Sequence, residues 1–149
     1  MHHVMLMLES NSYVRCLLID CSKAFDTVRH SLVLAKLSTL DIPPAILNWI
    51  VHFLTGRTQV TKGPDRTLSG FLPITQSIIQ GSGIGPTLCI TMESDLQPVS
   101  AMNVLVKYAD DTNLLVPEKT DVSLADEFTQ IIAWADKNNL KINPEKNKN

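Results

Sequence analysis

Residues Val104 to Val116 read VLVKYADDTNLLV. Two apolar runs, each suited to a β-strand, flank Ala109, Asp110 and Asp111. A hairpin of this kind carries two adjacent carboxylates at its tip. Carboxylates about 4 Å apart repel by on the order of 4 kcal/mol at an effective dielectric near 20. Such a pair is relieved either by a proton held at a raised pKa or by a divalent cation lying between the acids. The proton suits hydrolysis, and the cation suits phosphoryl transfer. The residues alone leave both open.

A second acid-terminated run lies far upstream. Tyr13 to Ile19, YVRCLLI, is aliphatic, reads as a buried strand and meets Asp20 at its end. If that strand lies beside the 104–116 hairpin, Asp20, Asp110 and Asp111 gather at one end of one sheet. Singly, each Asp is an ordinary turn residue. Three of them, each closing an apolar strand, point to a site.

The rest of the chain alternates helical and extended patterns. SLVLAKLSTL (31–40) has helical spacing with Ser31 as N-cap. DIPPAILNWIVHFLTG (41–56) places prolines in a first helical turn and Gly56 at the stop, with Ile46, Trp49, Ile50 and Phe53 on one face. RTQV (57–60) and RTLSGFLPI (66–74) read as a hairpin around a Gly-Pro-Asp turn. QGSGIGP (80–86) is a glycine-rich bend leading into a helix over TLCITMESDL. DVSLADEFTQIIAWADKNN (121–139) is an amphipathic helix with Asp121 near its cap and Leu124, Phe128, Ile131, Ile132 and Ala135 inward. LKI is a short strand. Together these predict an α+β fold, a mainly antiparallel sheet with helices on one face.

With 149 residues the chain is about one domain, and its 44% apolar content suits a buried core. The net charge of −2 does not advertise nucleic acid. Three cysteines, Cys16, Cys21 and Cys89, form no C-x-x-C, which argues against a disulfide framework or a structural zinc site. No run reaches the roughly 20 apolar residues of a spanning helix, and the start lacks a secretory pattern. The expectation is a soluble intracellular protein, with no membrane partner. The glycine-rich bend matches neither the P-loop nor the dinucleotide pattern, since Pro86 stands where a third glycine would be. The four histidines show no ligand spacing. Trp49 and Trp134 fall on apolar helix faces and are expected in the core. Lys23, Arg29, Arg57, Lys62 and Arg66 are scattered and read mostly as surface charge.

Four stretches taken in order, IDCSKAFDTV (19–28), QGSGIGPTL (80–88), YADDTNLL (108–115) and WADKNNLKINPEK (134–146), resemble successive motifs of the reverse-transcriptase palm, in the variant of non-long-terminal-repeat (LINE-like) retrotransposons. The resemblance implies an RNA-directed DNA polymerase that joins dNTPs to a primer 3′-hydroxyl on an RNA template. It implies two Mg²⁺ ions, replaceable by Mn²⁺, held by Asp20 and Asp110 with the backbone carbonyl of Cys21, and Asp111 as the supporting acid. Phe25 would lie under the sugar and disfavour a 2′-hydroxyl, although a core role fits it equally. Gln80 and Gly81 would line the nucleotide and template side, and Tyr108 would support the hairpin tip near the primer end. Gly83 and Gly85 serve a bend and helix start, Asp26 caps a turn, and Lys146 reads as a solvated lysine rather than a proton donor.

The resemblance also implies fingers before this region and a thumb after it. Residues 1–149 are therefore expected to be a single partial domain, a palm core truncated at both ends. The competing expectation is a non-catalytic retroelement remnant. A carboxylate-dyad hydrolase is a third, for which the sequence offers no cleft.

Overall fold

The computed structural model describes residues 2–22, 24–79, 81–108 and 111–143. In chain order the elements are α1 (His2–Leu8), β1 (Val14–Ser22), α2 (Ala24–Thr27), α3 (His30–Leu37), α4 (Pro44–Leu54), β2 (Thr58–Gln59), β3 (Leu72–Pro73), α5 (Gly85–Met92), β4 (Val104–Tyr108), β5 (Asp111–Pro117), α6 (Leu124–Lys137) and β6 (Lys141–Ile142). They divide into two compact units, one made of Met1–Ala24 with Glu93–Asn149 and the other of Phe25–Met92.

The first unit is built on an antiparallel sheet of order β4-β5-β1-β6. β1 alternates over Leu17–Ile19 as a half-covered strand must, whereas β5 is buried on both faces from Leu114 to Pro117 and opens only toward Asp111. Leu17 and Ile19 of β1 and Leu114 and Val116 of β5 face inward. There they pack with Leu96 and with Ile131 of α6, and Leu105, Leu124, Phe128 and Trp134 close the edges of the cluster. The expected strand at 13–19 is present but does not stop at Asp20. It runs on to Ser22, because β6 takes up the far edge of β1 at Cys21 and Ser22.

The passage from α6 to β6 follows from local chemistry. Ser123, two residues after Asp121, is the N-cap, and its hydroxyl oxygen accepts the Asp126 N–H at 3.1 Å. At the other end Asn139 adopts a φ of +58°, the Asn139 N–H donates to the Asp136 carbonyl and the Leu140 N–H to that of Ala135. That is a Schellman ending with Asn in the usual glycine place, and it turns the chain directly into β6.

α6 buries Ile131 and Ala135 as its spacing predicts, but Ile132 is exposed and Glu127 is fully buried. The Glu127 carboxylate accepts the Val99 and Ser100 N–H groups at 3.0 and 2.9 Å and the Asn103 amide at 2.6 Å. It anchors the loop that feeds β4.

The second unit holds α3, α4, α5 and the β2–β3 hairpin around Val28, Val33, Leu37, Ile50, Leu54, Ile78, Leu88 and Met92. Pro44 opens α4 and Gly56, at φ +67°, follows its C-cap, as expected. The α3 cap is Arg29 instead of Ser31, which lies inside the helix. Trp49 departs from expectation most. It is 56% exposed, as is Ile46 at 52%, while Ile50 and Leu54 make the core contact. Among the described residues no helix is long and apolar enough to cross a membrane.

Glu127→Ala should destabilise the chain by at least about 2 kcal/mol in urea unfolding, because two buried donors, the Ser100 N–H and the Asn103 amide, and the part-buried Val99 N–H lose their acceptor. Glu127→Gln, which keeps one carbonyl oxygen, should cost less. Equal midpoints for both variants and the parent would contradict the anchoring role.

Candidate active site

In an antiparallel ladder, residues directly opposite one another share a face, with Cα atoms roughly 4.5–5.5 Å apart. The β1–β5 ladder ends on the pair Asp20 and Asp111, and the β4–β5 ladder on Tyr108 and Asp111. Tyr108, Asp111 and Asp20 therefore form one row across three strands, on the side of the sheet opposite the Leu17, Ile19 and Leu114 core. The next row on that face is Val106, Asn113 and Leu18. Neither row has a basic residue. Lys107, on the other face, donates its ammonium to the Glu93 and Leu96 carbonyls at 2.5 and 2.8 Å.

Asp20 is half-buried and is held from behind. The Asn143 side-chain amide donates to Asp20 Oδ2 at 3.1 Å, and the Asn143 N–H donates to the Asp20 carbonyl at 2.8 Å. Sequence reasoning does not single out Asn143. Its one signal is a place directly after the LKI strand, within the fourth motif. Asp111 is exposed, and Tyr108 is 80% exposed. A cleft of about 290 Å³ opens along Leu18, Asp20, Asp111 and Asn113. Cys21 follows Asp20 in β1, opposite Ile142.

Asp110 precedes Asp111 in sequence and lies outside the described residues, as do Gln80 and Lys146. Among the described residues no three His, Cys, Asp or Glu side chains come together as a metal site. The fit to a divalent cation rests on two carboxylates in opposed register on one face of the sheet, Asp20 as a hard oxygen donor and Asp111 as added negative charge beside it.

Other expected site residues belong to the second unit. Phe25 is half-buried against that unit's core, and its carbonyl accepts the Ile78 N–H at 2.8 Å. Gly81 has a φ of +82°, and a Cβ placed on it would meet nothing within 4 Å, so glycine is required there by conformation, not by crowding. Gly85 begins α5, as expected.

An antiparallel sheet with helices on one face and acids along the other is a palm-like fold. The solved structures agree. Telomerase from Candida tropicalis, in its apo form truncated from the C-terminal domain, superposes over 97% of this chain with a TM-score of 0.67 at 15% identity, covering 33% of that chain. A second structure of that telomerase, in complex with the TWJ fragment of telomeric RNA, gives 0.69 at 14% identity, covering 94% of this chain and 26% of that one.

The family model described as reverse transcriptase (RNA-dependent DNA polymerase) matches residues 2–149, and the chain belongs to that family. The RNA-directed DNA polymerase from mobile element jockey of Drosophila melanogaster is 31% identical over 93% of this chain. The Pol polyprotein from type-1 retrotransposable element R2 of Popillia japonica is 25% identical over 97% of it. These names agree with the retrotransposon variant that the motifs resemble. The chain spans 16% and 25% of the lengths of those two relatives.

Removing one charge of the opposed pair gives a test free of turnover. At low ionic strength without divalent metal, Asp111→Asn should raise stability by roughly 0.2–1 kcal/mol. Mg²⁺ at ten times its Kd should stabilise the parent by about 1.4 kcal/mol, and Asp20→Asn should lose most of that gain in thermal unfolding.

Proposed function

We propose that the chain is the palm core of a retrotransposon RNA-directed DNA polymerase, which extends a DNA primer with dNTPs on an RNA template. The observation that carries this reading is the register pairing of Asp20 with Asp111 on the open face of the sheet. Membership of the reverse transcriptase family supports it.

In the proposed reaction the primer 3′-hydroxyl gives up its proton to solvent and its oxygen attacks the α-phosphorus of a dNTP. A new phosphodiester bond forms, the bond to the β-phosphate breaks, and pyrophosphate leaves. Asp20, Asp110 and the carbonyl of Cys21 would hold two Mg²⁺ ions, which lower the pKa of the hydroxyl and offset the triphosphate charge when bound. Asp20 is oriented for that work by the Asn143 amide. Asp111 adds negative charge to the site more than it coordinates. Tyr108, exposed at the end of β4, would support the primer terminus. Phe25 would press on the sugar where a 2′-hydroxyl projects, the group that separates ribose from deoxyribose. Gln80 and Gly81 would line the nucleotide and template side, and the positive φ at Gly81 suits close backbone approach. Residues 1–149 would act as one partial domain, with fingers and thumb segments of a longer polyprotein gripping the triphosphate and the duplex.

Primer extension on an RNA template with Mg²⁺ tests the reading, with this region carried in its flanking polymerase segments. Asp20→Ala and Asp110→Ala should each lower extension roughly a thousandfold, the rate equivalent of several kcal/mol of lost charge stabilisation. Extension equal to the parent's would contradict the assignment. Phe25→Val should raise ribonucleotide incorporation relative to deoxyribonucleotide, measured by competition between the two. An unchanged ratio would return Phe25 to a purely structural role.

A further inference from the structure

Helix α4 carries a feature that the polymerase chemistry does not use. Trp49 and Phe53 stand one turn apart on α4 with their rings stacked, centroids 5.7 Å apart and planes 20° from parallel. One turn further on, the Arg57 guanidinium lies over the Phe53 ring at 5.2 Å. Its Nε–H donates to the Phe53 carbonyl at 2.9 Å, which fixes the plane of the group. Among the described residues its two terminal amino groups make no hydrogen bond. The ladder ends at a cleft of about 630 Å³ in the same unit, whose wall includes Phe53, Arg57, Gln59, Thr75 and Gln76.

A Trp that only completes a core would be covered, and this one is more than half exposed. Ile46, one turn earlier on α4, is exposed beside it, so the apolar surface alone does not name the partner. What favours a nucleotide is that the ring is backed by a second ring and followed by a fixed planar cation. That order matches what an unpaired strand needs: a π-surface for a base, then a charge for a phosphate further along the backbone. The amides of Gln59 and Gln76 supply donors and acceptors for the edge of a following base.

Resting on the polymerase reading for the identity of the strand, we propose that the Trp49–Phe53–Arg57 ladder binds unpaired RNA template, stacking one base on Trp49 and holding a phosphate further along the strand at Arg57. The contact is tolerant of sequence, since every base has a π-face.

Trp134→Phe leaves Trp49 as the single tryptophan reporter. Titrating oligoriboadenylate into that chain should quench its fluorescence to saturation, with affinity falling as salt rises. Arg57→Ala should weaken binding at least about fivefold, and Arg57→Lys should recover only part of the loss. Trp49→Ala, followed by fluorescence anisotropy of labelled RNA, should weaken it by a similar factor. Both positions are on the surface, and Trp49→Phe serves as the second variant should the alanine fail to fold.

Absence of saturable quenching, or quenching indifferent to Arg57→Ala, would overturn the proposal. So would quenching by an apolar peptide where RNA gives none, which would make the ladder a protein-docking face. Asp110→Ala should leave RNA quenching unchanged, so loss of primer extension and loss of this contact are separately visible.

Discussion

The β1–β5 ladder pairs Val14 with Pro117 at one end and Asp20 with Asp111 at the other. Side chains alternate across a sheet with a period of two, so a slip of one residue would send every side chain of β1 to the opposite face. Leu17 and Ile19 would leave the core, and Asp20 would turn into it. Burial of Leu17, Ile19, Leu114 and Val116 is therefore what fixes the acids on the open face. The apolar half of each strand sets the position of its charged end, and the site inherits its geometry from the core.

Two further devices hold Asp20. β1 changes partner at this point, pairing with β5 through Asp20 and with β6 from Cys21 onward. The Schellman ending of α6 sets where β6 begins, and β6 delivers Asn143 to both the backbone and the carboxylate of Asp20. A capping detail at Asn139 thus reaches the orientation of an acid more than a hundred residues earlier in the chain. The same economy appears at Glu127, a charge turned inward to bind the loop that positions β4. Both are polar groups satisfied by partners distant in sequence, which makes them effective at specifying one arrangement.

Much of this was legible in the residues. The broken apolar run at 104–116 gave the hairpin, the aliphatic run ending in Asp20 gave the central strand, and the turn and stop residues around α4 gave its limits. What escaped had long-range causes. Nothing near Asp20 announces that β6 will extend its strand. Glu127 is an exposed residue by type, and the N–H groups of Val99 and Ser100 with the Asn103 amide make its burial tolerable. Helix α4 is apolar around much of its circumference, so periodicity could not say which side meets the core, and the expectation for Trp49 falls on the wrong one. The α3 cap escaped because Arg29 holds that place with no side-chain capping bond to announce it. Asp110 and Gln80 lie outside the described residues, so their placement rests on the motifs alone.

The central claim is that the end of the sheet where Asp20 and Asp111 oppose one another takes a divalent cation. Paramagnetic Mn²⁺ tests this most directly, because at substoichiometric levels it broadens the NMR signals of the residues nearest to it. The amide signals of Asp20, Cys21 and Asp111 should fade first, Glu127 and its loop should stay sharp, and Asp20→Ala should abolish the effect. Broadening centred on other acids such as Asp65 or Asp126, or an unchanged pattern in Asp20→Ala, would contradict the claim.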